Sequence, residues 1–101
     1  MITTLIADQL FDGKDIHTDR PISFEDGKII AFDTVAGAKE LNVSGLLTPG
    51  FIDVQVNGGG GYLFNHETNI QTLAAMTKAH GKYGTTAFLP TLITSDLETL
   101  N

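Results

Sequence analysis

From Pro49 onward the sequence alternates strand, helix, strand and the start of another helix, and this alternation limits the possible folds more than any other feature. Phe51-Ile-Asp-Val-Gln-Val-Asn57 reads as a strand, with Pro49-Gly50 before it and four glycines, Gly58 to Gly61, after it. Thr68-Asn-Ile-Gln71 fits a capping box with Thr68 as N-cap. Leu73, Met76, His80 and Tyr83 then recur at spacings of three and four, which marks one helical stripe. Gly84 can supply a left-handed C-terminal cap, and Thr85-Thr-Ala-Phe-Leu-Pro90 reads as a second strand. Ser95-Asp-Leu-Glu98 is a second capping box. Strands separated by a helix pair in parallel through a crossover, which makes this half α/β. A parallel sheet is normally covered on both faces, and one complete helix cannot do that. The chain is therefore incomplete as it stands, or it borrows cover from further copies of itself.

Residues 1–48 have a different character. Asp12-Gly13 and Asp26-Gly27 are two-residue hairpin signals. Between them, Ile22 and Phe24 share one face of a strand, and Lys28–Asp33 reads as its partner. Residues 34–45 are mixed and polar and read as a connection or a weak edge strand.

Alternation along the Phe51–Asn57 strand puts Ile52, Val54 and Val56 on one side, suited to packing beneath helices. Asp53, Gln55 and Asn57 fall on the other. In a layered sandwich such a polar row would be costly to bury, at a few kcal/mol for each unpaired group. In an α/β barrel it points inward, and its C-terminal end opens into the active site. An amphipathic edge strand with a solvated polar face fits the same spacing. The glycine run fits a loop that bends sharply or approaches a ligand closely.

Composition removes several classes. Six basic against twelve acidic residues, a net charge of −6, argue against nucleic-acid binding. No cysteine is present, so disulfides, thiolate metal sites and a Cys nucleophile are excluded. No apolar run approaches the ~18 residues of a membrane helix, and the N-terminus does not read as a signal peptide. The chain reads as cytoplasmic, with no membrane or nucleic-acid partner. Gly58–Gly61 lacks the Gly-Lys-Ser/Thr ending of a phosphate-binding Walker loop. His17 reads as a solvated loop residue, His80 as a packed helix residue, and His66 beside Glu67 as a weak metal-ligand candidate.

Leu47-Thr-Pro-Gly-Phe-Ile-Asp53 resembles the entry to the first barrel strand of the amidohydrolase superfamily. Most members continue with Asp-x-His-x-His, whose histidines bind metal. This chain has Asp53-Val-Gln55-Val-Asn57-Gly58 instead. With the glycine loop, Phe64-Asn65 and Ala87–Thr94, that departure resembles the N-acetylglucosamine-6-phosphate deacetylase branch. Amide oxygens are neutral and are poor metal ligands beside imidazole or carboxylate.

The resemblance implies a (β/α)8 barrel beginning in residues 49–101, preceded in residues 1–48 by part of a small β-sandwich domain. It implies a hydrolase that removes acetate from N-acetylglucosamine 6-phosphate, in amino-sugar catabolism. A divalent metal, zinc or similar, is implied, with a Glu and two His ligands supplied by later strands. The metal polarises a water and the substrate carbonyl, and an Asp from a late strand is the acid/base. No catalytic residue and no metal ligand is expected within this chain. Gln55, Asn57, Gly58 and Gly59 are expected to line the pocket, and Asp53 lies deeper. A sugar-phosphate ligand, a homo-oligomer and an inactive isolated chain complete the expectation. Another amidohydrolase branch, dihydroorotase- or imidase-like, is the first alternative, and a non-enzymatic small α+β interaction module is the second.

Overall fold

The computed structural model describes residues 1–100, with side chains described through Glu98. The chain divides into two compact units, Met1–Pro49 and Gly50–Asn101.

The first unit is a five-stranded mixed sheet built on a central strand, β1 (Thr3–Phe11). One edge of β1 is shared by β2 (Ile16–Thr18) and β3 (Ile22–Glu25), both antiparallel to it. β3 turns into β4 (Lys28–Ala31) through Asp26 (φ 49°) and Gly27 (φ 75°). Two successive positive φ values define the type I′ turn that the Asp-Gly pair predicts. The other edge of β1 carries β5 (Lys39–Leu47), which runs parallel to it. Thus the polar stretch read as a connection or weak edge forms a nine-residue strand. Its register slips between Ala7 and Gln9, where Asp8 faces an extra residue of β5. Gly45 takes φ 95° there, and its N–H donates to Asp8 Oδ2 at 2.7 Å. A bulge that interrupts a ladder exposes a backbone donor, and the Asp8 carboxylate accepts it.

Inside this sheet, Thr4 and Ser23 are fully buried opposite one another. Thr4 Oγ1 and Ser23 Oγ are 2.7 Å apart, and Ser23 Oγ donates to Asp33 O at 2.6 Å. The hydroxyl chain satisfies buried oxygens that would otherwise cost about 1–3 kcal/mol. Ile22 and Phe24 line an apolar cleft with Leu5, Ile29, Phe32 and Leu47, as the alternation predicts.

His17 departs from its expected place. It lies on β2, half-buried, with Nε2 2.7 Å from Asp12 Oδ2. Asp12 Oδ1 also accepts the N–H groups of Asp15 and Lys14. Those donors, the Asp15 N–H foremost and then His17, hold the Asp12 carboxyl well below the usual carboxylate range.

The second unit pairs β6 (Phe51–Val56) in parallel with β9 (Thr85–Pro90), joined through α1 (Ile70–Gly81). Between β6 and α1 lies a small hairpin, β7 (Gly58–Gly59) with β8 (Tyr62–Leu63). α2 (Leu97–Leu100) follows β9. The core is Val56, Phe64 and Met76, with Leu73, Phe88 and Leu92 against it. Of the three β6 residues expected beneath helices, only Val56 is covered. Ile52 and Val54 are 73% and 71% exposed. One helix shields the Val56 end of the strand and leaves the rest bare.

The helix starts one residue later than the capping box predicts. Asn69, in extended conformation, is the N-cap, and its Oδ1 accepts the Thr72 N–H at 2.8 Å. Thr68 Oγ1 donates to Phe64 O instead. Met76 is fully buried on the predicted stripe and Leu73 half-buried. Tyr83 lies beyond the end of α1, 81% exposed. Gly84 does take a positive φ of 96°, but as the turn into β9 rather than as the helix cap, which is Lys82.

Candidate functional site

The second unit concentrates its polar features where β6 and β9 end. Three successive carbonyls leaving β6 are each held by a different segment. Val56 O accepts the Thr91 N–H at 2.8 Å, and Asn57 O accepts the Phe64 N–H at 2.8 Å. His80 Nε2 lies 2.8 Å from Gly58 O. Beyond them, Asn65 clasps the backbone of Ile93 with both ends of its amide. Its Nδ2 donates to Ile93 O at 2.8 Å, and its Oδ1 accepts the Ile93 N–H at 2.7 Å. The segments after β8 and after β9 are thereby fixed to the end of β6.

Gln55 is exposed, and Asn57, Gly58 and Gly59 are half-buried. Among the described residues the Gln55 and Asn57 side-chain amides make no hydrogen bond. Asp53 has a local role. Its Oδ1 accepts the Gln55 N–H at 3.0 Å. The register slips there: the step from Asp53 to Val56 faces the shorter step from Phe88 to Pro90. Period-two counting therefore does not carry one polar row unbroken from Asp53 to Asn57. A bulge of this kind re-aims the side chains after it.

The glycine run has a packing explanation. Gly60 (φ 65°) and Gly61 (φ 88°) form the two-residue turn of the β7–β8 hairpin. A Cβ on Gly58 would meet Tyr62 O. One on Gly59 would approach His80 Nε2 to 2.7 Å, and one on Gly60 would approach Ala75 O to 3.0 Å. The hairpin backbone thus lies directly on α1. The close approach that the glycines permit is to the chain's own helix.

His66 is exposed and lines an open cleft with Asn65, Thr68, Asp96 and Glu98. Among the described residues no group of three or more His, Asp or Glu could hold a metal ion. Gln55 and Asn57 offer neutral amides only, so the residues present do not fit a metal. Two hydrogen-bonded ties at the strand ends carry no signal in the sequence, Asn65 to Ile93 and His80 to Gly58. The partners lie 28 and 22 positions apart, and no local signal links them. No helix among the described residues is long and apolar enough to cross a membrane.

No family model matches the chain. An N-acetylgalactosamine-6-phosphate deacetylase of Shewanella sp. (strain ANA-3) is 58% identical over 57 residues, covering 56% of this chain and 14% of that protein. An N-acetylglucosamine-6-phosphate deacetylase of Haemophilus influenzae is 46% identical over 65 residues, covering 63% of this chain and 17% of that protein. The crystal structure of N-acetylglucosamine-6-phosphate deacetylase from Pasteurella multocida superposes with a TM-score of 0.86 at 31% identity, covering 99% of this chain and 28% of that one. The class these likenesses define is the deacetylases of N-acetylated amino-sugar 6-phosphates, which are hydrolases acting on amides. Within it, N-acetylglucosamine-6-phosphate deacetylase is the particular enzyme that both the Haemophilus homologue and the Pasteurella structure represent. The matches span only about one sixth of the curated relatives' length.

Proposed function

We propose that this chain forms part of an N-acetylglucosamine-6-phosphate deacetylase and contributes one wall of its sugar-phosphate pocket. The observation that carries the reading is the likeness to the Pasteurella enzyme across 99% of the chain. In this reading residues 49–101 are the first strand–helix–strand unit of a (β/α)8 barrel. Residues 1–48 are part of a β-sandwich domain, whose second sheet covers the apolar cleft of Leu5, Ile22 and Phe24. The strand ends of a barrel face its active site, so Gln55 and Asn57 reach the substrate from the end of β6. Their amides supply both N–H donors and C=O acceptors to a ligand rich in hydroxyls and carbonyls. Neither titrates, so their work is to bind and orient. Gly58 and Gly59 continue the wall. A divalent metal and the acid/base group belong to residues outside 1–101, and the protein works in the cytoplasm.

One observation favours a second reading, the C4 epimer of the substrate. The 58% identical Shewanella relative is named for N-acetylgalactosamine 6-phosphate.

The experiment is acetate release from both sugar phosphates by the full-length protein and by Gln55→Ala and Asn57→Ala. Each variant loses hydrogen bonds of about 1 kcal/mol apiece. Each should therefore lower kcat/KM about fivefold or more while the fold survives. Wild-type rates in both, or equal failure of the wild type on both sugars, overturn the reading. The 101-residue chain alone should release no acetate.

A further inference from the structure

Of the three carbonyls held where the chain leaves β6, two are bound by backbone N–H groups, from Thr91 and Phe64. The third, Gly58 O, is bound by a side chain, His80 Nε2 at 2.8 Å. A carbonyl oxygen only accepts, so Nε2 carries the hydrogen and donates. The ring is held from two sides. It is half-buried on α1, and it leans on Phe88 of β9 with centroids 6.1 Å apart at 51°. His80 thus connects the helix, the second strand and the glycine hairpin. The space it needs is the space that a side chain on Gly59 would take, since that Cβ would come within 2.7 Å of Nε2.

The N–H of a half-buried imidazole needs an acceptor, and the one His80 takes belongs to the glycine run. The aim matters because of what that carbonyl follows. Asn57 precedes Gly58 directly, and its own carbonyl is already fixed by Phe64. With Gly58 O fixed as well, the peptides on either side of Gly58 are pinned, and the Asn57 side chain leaves a rigid backbone. Glycine by itself would leave this stretch free to adopt many conformations.

We propose that His80 is a positioning residue for the pocket wall. It donates from Nε2 to Gly58 O and so sets the conformation of the Gly58–Gly61 hairpin that directly follows Asn57. The proposal rests on the reading that Asn57 and Gly58 line a sugar-phosphate pocket.

Three measurements test it. In the ¹⁵N-labelled wild-type chain, long-range imidazole correlations should show His80 with its hydrogen on Nε2. A bare Nε2 overturns the proposal, and this arm needs no variant. His80→Leu removes the donor, whereas His80→Gln keeps an N–H the same number of bonds from Cα. The amide resonances of Gly58 to Gly61 should move in the Leu variant and return toward wild type in the Gln variant. In the full-length protein, the Leu variant should lose about tenfold in kcat, as lost supporting hydrogen bonds commonly do, with Gln recovering most of it. Equal losses in both variants would reduce His80 to packing and overturn the proposal. A wild type with no deacetylase activity would sink the functional reading, while the two spectroscopic arms would still decide the role of His80.

Discussion

The two units solve the same problem, pairing strands into a sheet, by different means. In Met1–Pro49 two of the strand pairings, β1 with β2 and β3 with β4, are encoded locally. Asp-Gly turns reverse the chain within four residues or fewer, and Asp12 and Asp8 take up backbone donors that turns and bulges leave over. In Gly50–Asn101 the pairing is between β6 and β9, more than thirty positions apart, and it depends on α1 lying between them. The first unit takes its two hairpins from local turns but still needs β5 to return to β1, with Thr3 facing Lys39. The second is held by a single cluster, Val56, Phe64 and Met76, while Ile52 and Val54 remain bare. The difference teaches where each is vulnerable: the second fails through its core, the first through its turns.

Met76→Ala should produce the largest effect. A fully buried Met removed from so small a core costs about 2–5 kcal/mol. Urea denaturation followed by amide exchange should show the second unit opening while β1, β3 and β5 stay protected. Simultaneous loss of protection in both units would break the comparison.

The start of α1 provides a smaller and more pointed test. Asn69→Ala should lower the stability of the second unit by about 1 kcal/mol, the usual value of an N-cap. Thr68→Ala should cost less, since Thr68 donates only to Phe64 O. Thermal melts in which Thr68→Ala is the more damaging of the two would restore the capping box that the sequence suggests.

Asp12 should give the smallest effect, and it acts on the first unit alone. Its carboxyl sits below its ordinary value of 3.8 because the charged form accepts the Asp15, His17 and Lys14 hydrogens. A depressed value means stability that is present above about pH 4 and is lost as the pH falls further. Asp12→Asn should flatten that part of the acid limb of the denaturation midpoint against pH. An unchanged acid limb would show that the hairpin does not depend on the carboxylate.

Much of the fold was legible. The two-residue Asp26-Gly27 hairpin, the strand at Phe51, the helix through Leu73 and Met76, and the strand at Thr85 follow from turn chemistry and periodicity, whereas the turn at Asp12-Gly13 is longer than two residues because Phe11 pairs with Ile16. β5 was harder to read because Leu41, Val43 and Leu46 among its apolar residues are exposed and Gly45 interrupts the alternation. The sequence names a candidate stretch, Gln55 to Gly59, but not its geometry. The slip between Asp53 and Val56 depends on how β9 pairs, and no residue of β6 announces it.

By itself the sequence determined the local elements, the neutral amides in place of two histidines, and the glycines between Asn57 and Tyr62. These are matters of side-chain chemistry and of backbone freedom within a few residues. Only the tertiary structure decided what the glycines are for. They let the hairpin settle on α1 close enough for His80 to hold Gly58, a contact between residues 22 positions apart. Asn69 rather than Thr68 caps the helix for a related reason, because the Thr68 hydroxyl is already given to Phe64 O beside the core. Periodicity records which face a residue prefers. Which partner it meets on that face depends on pairings made far along the chain.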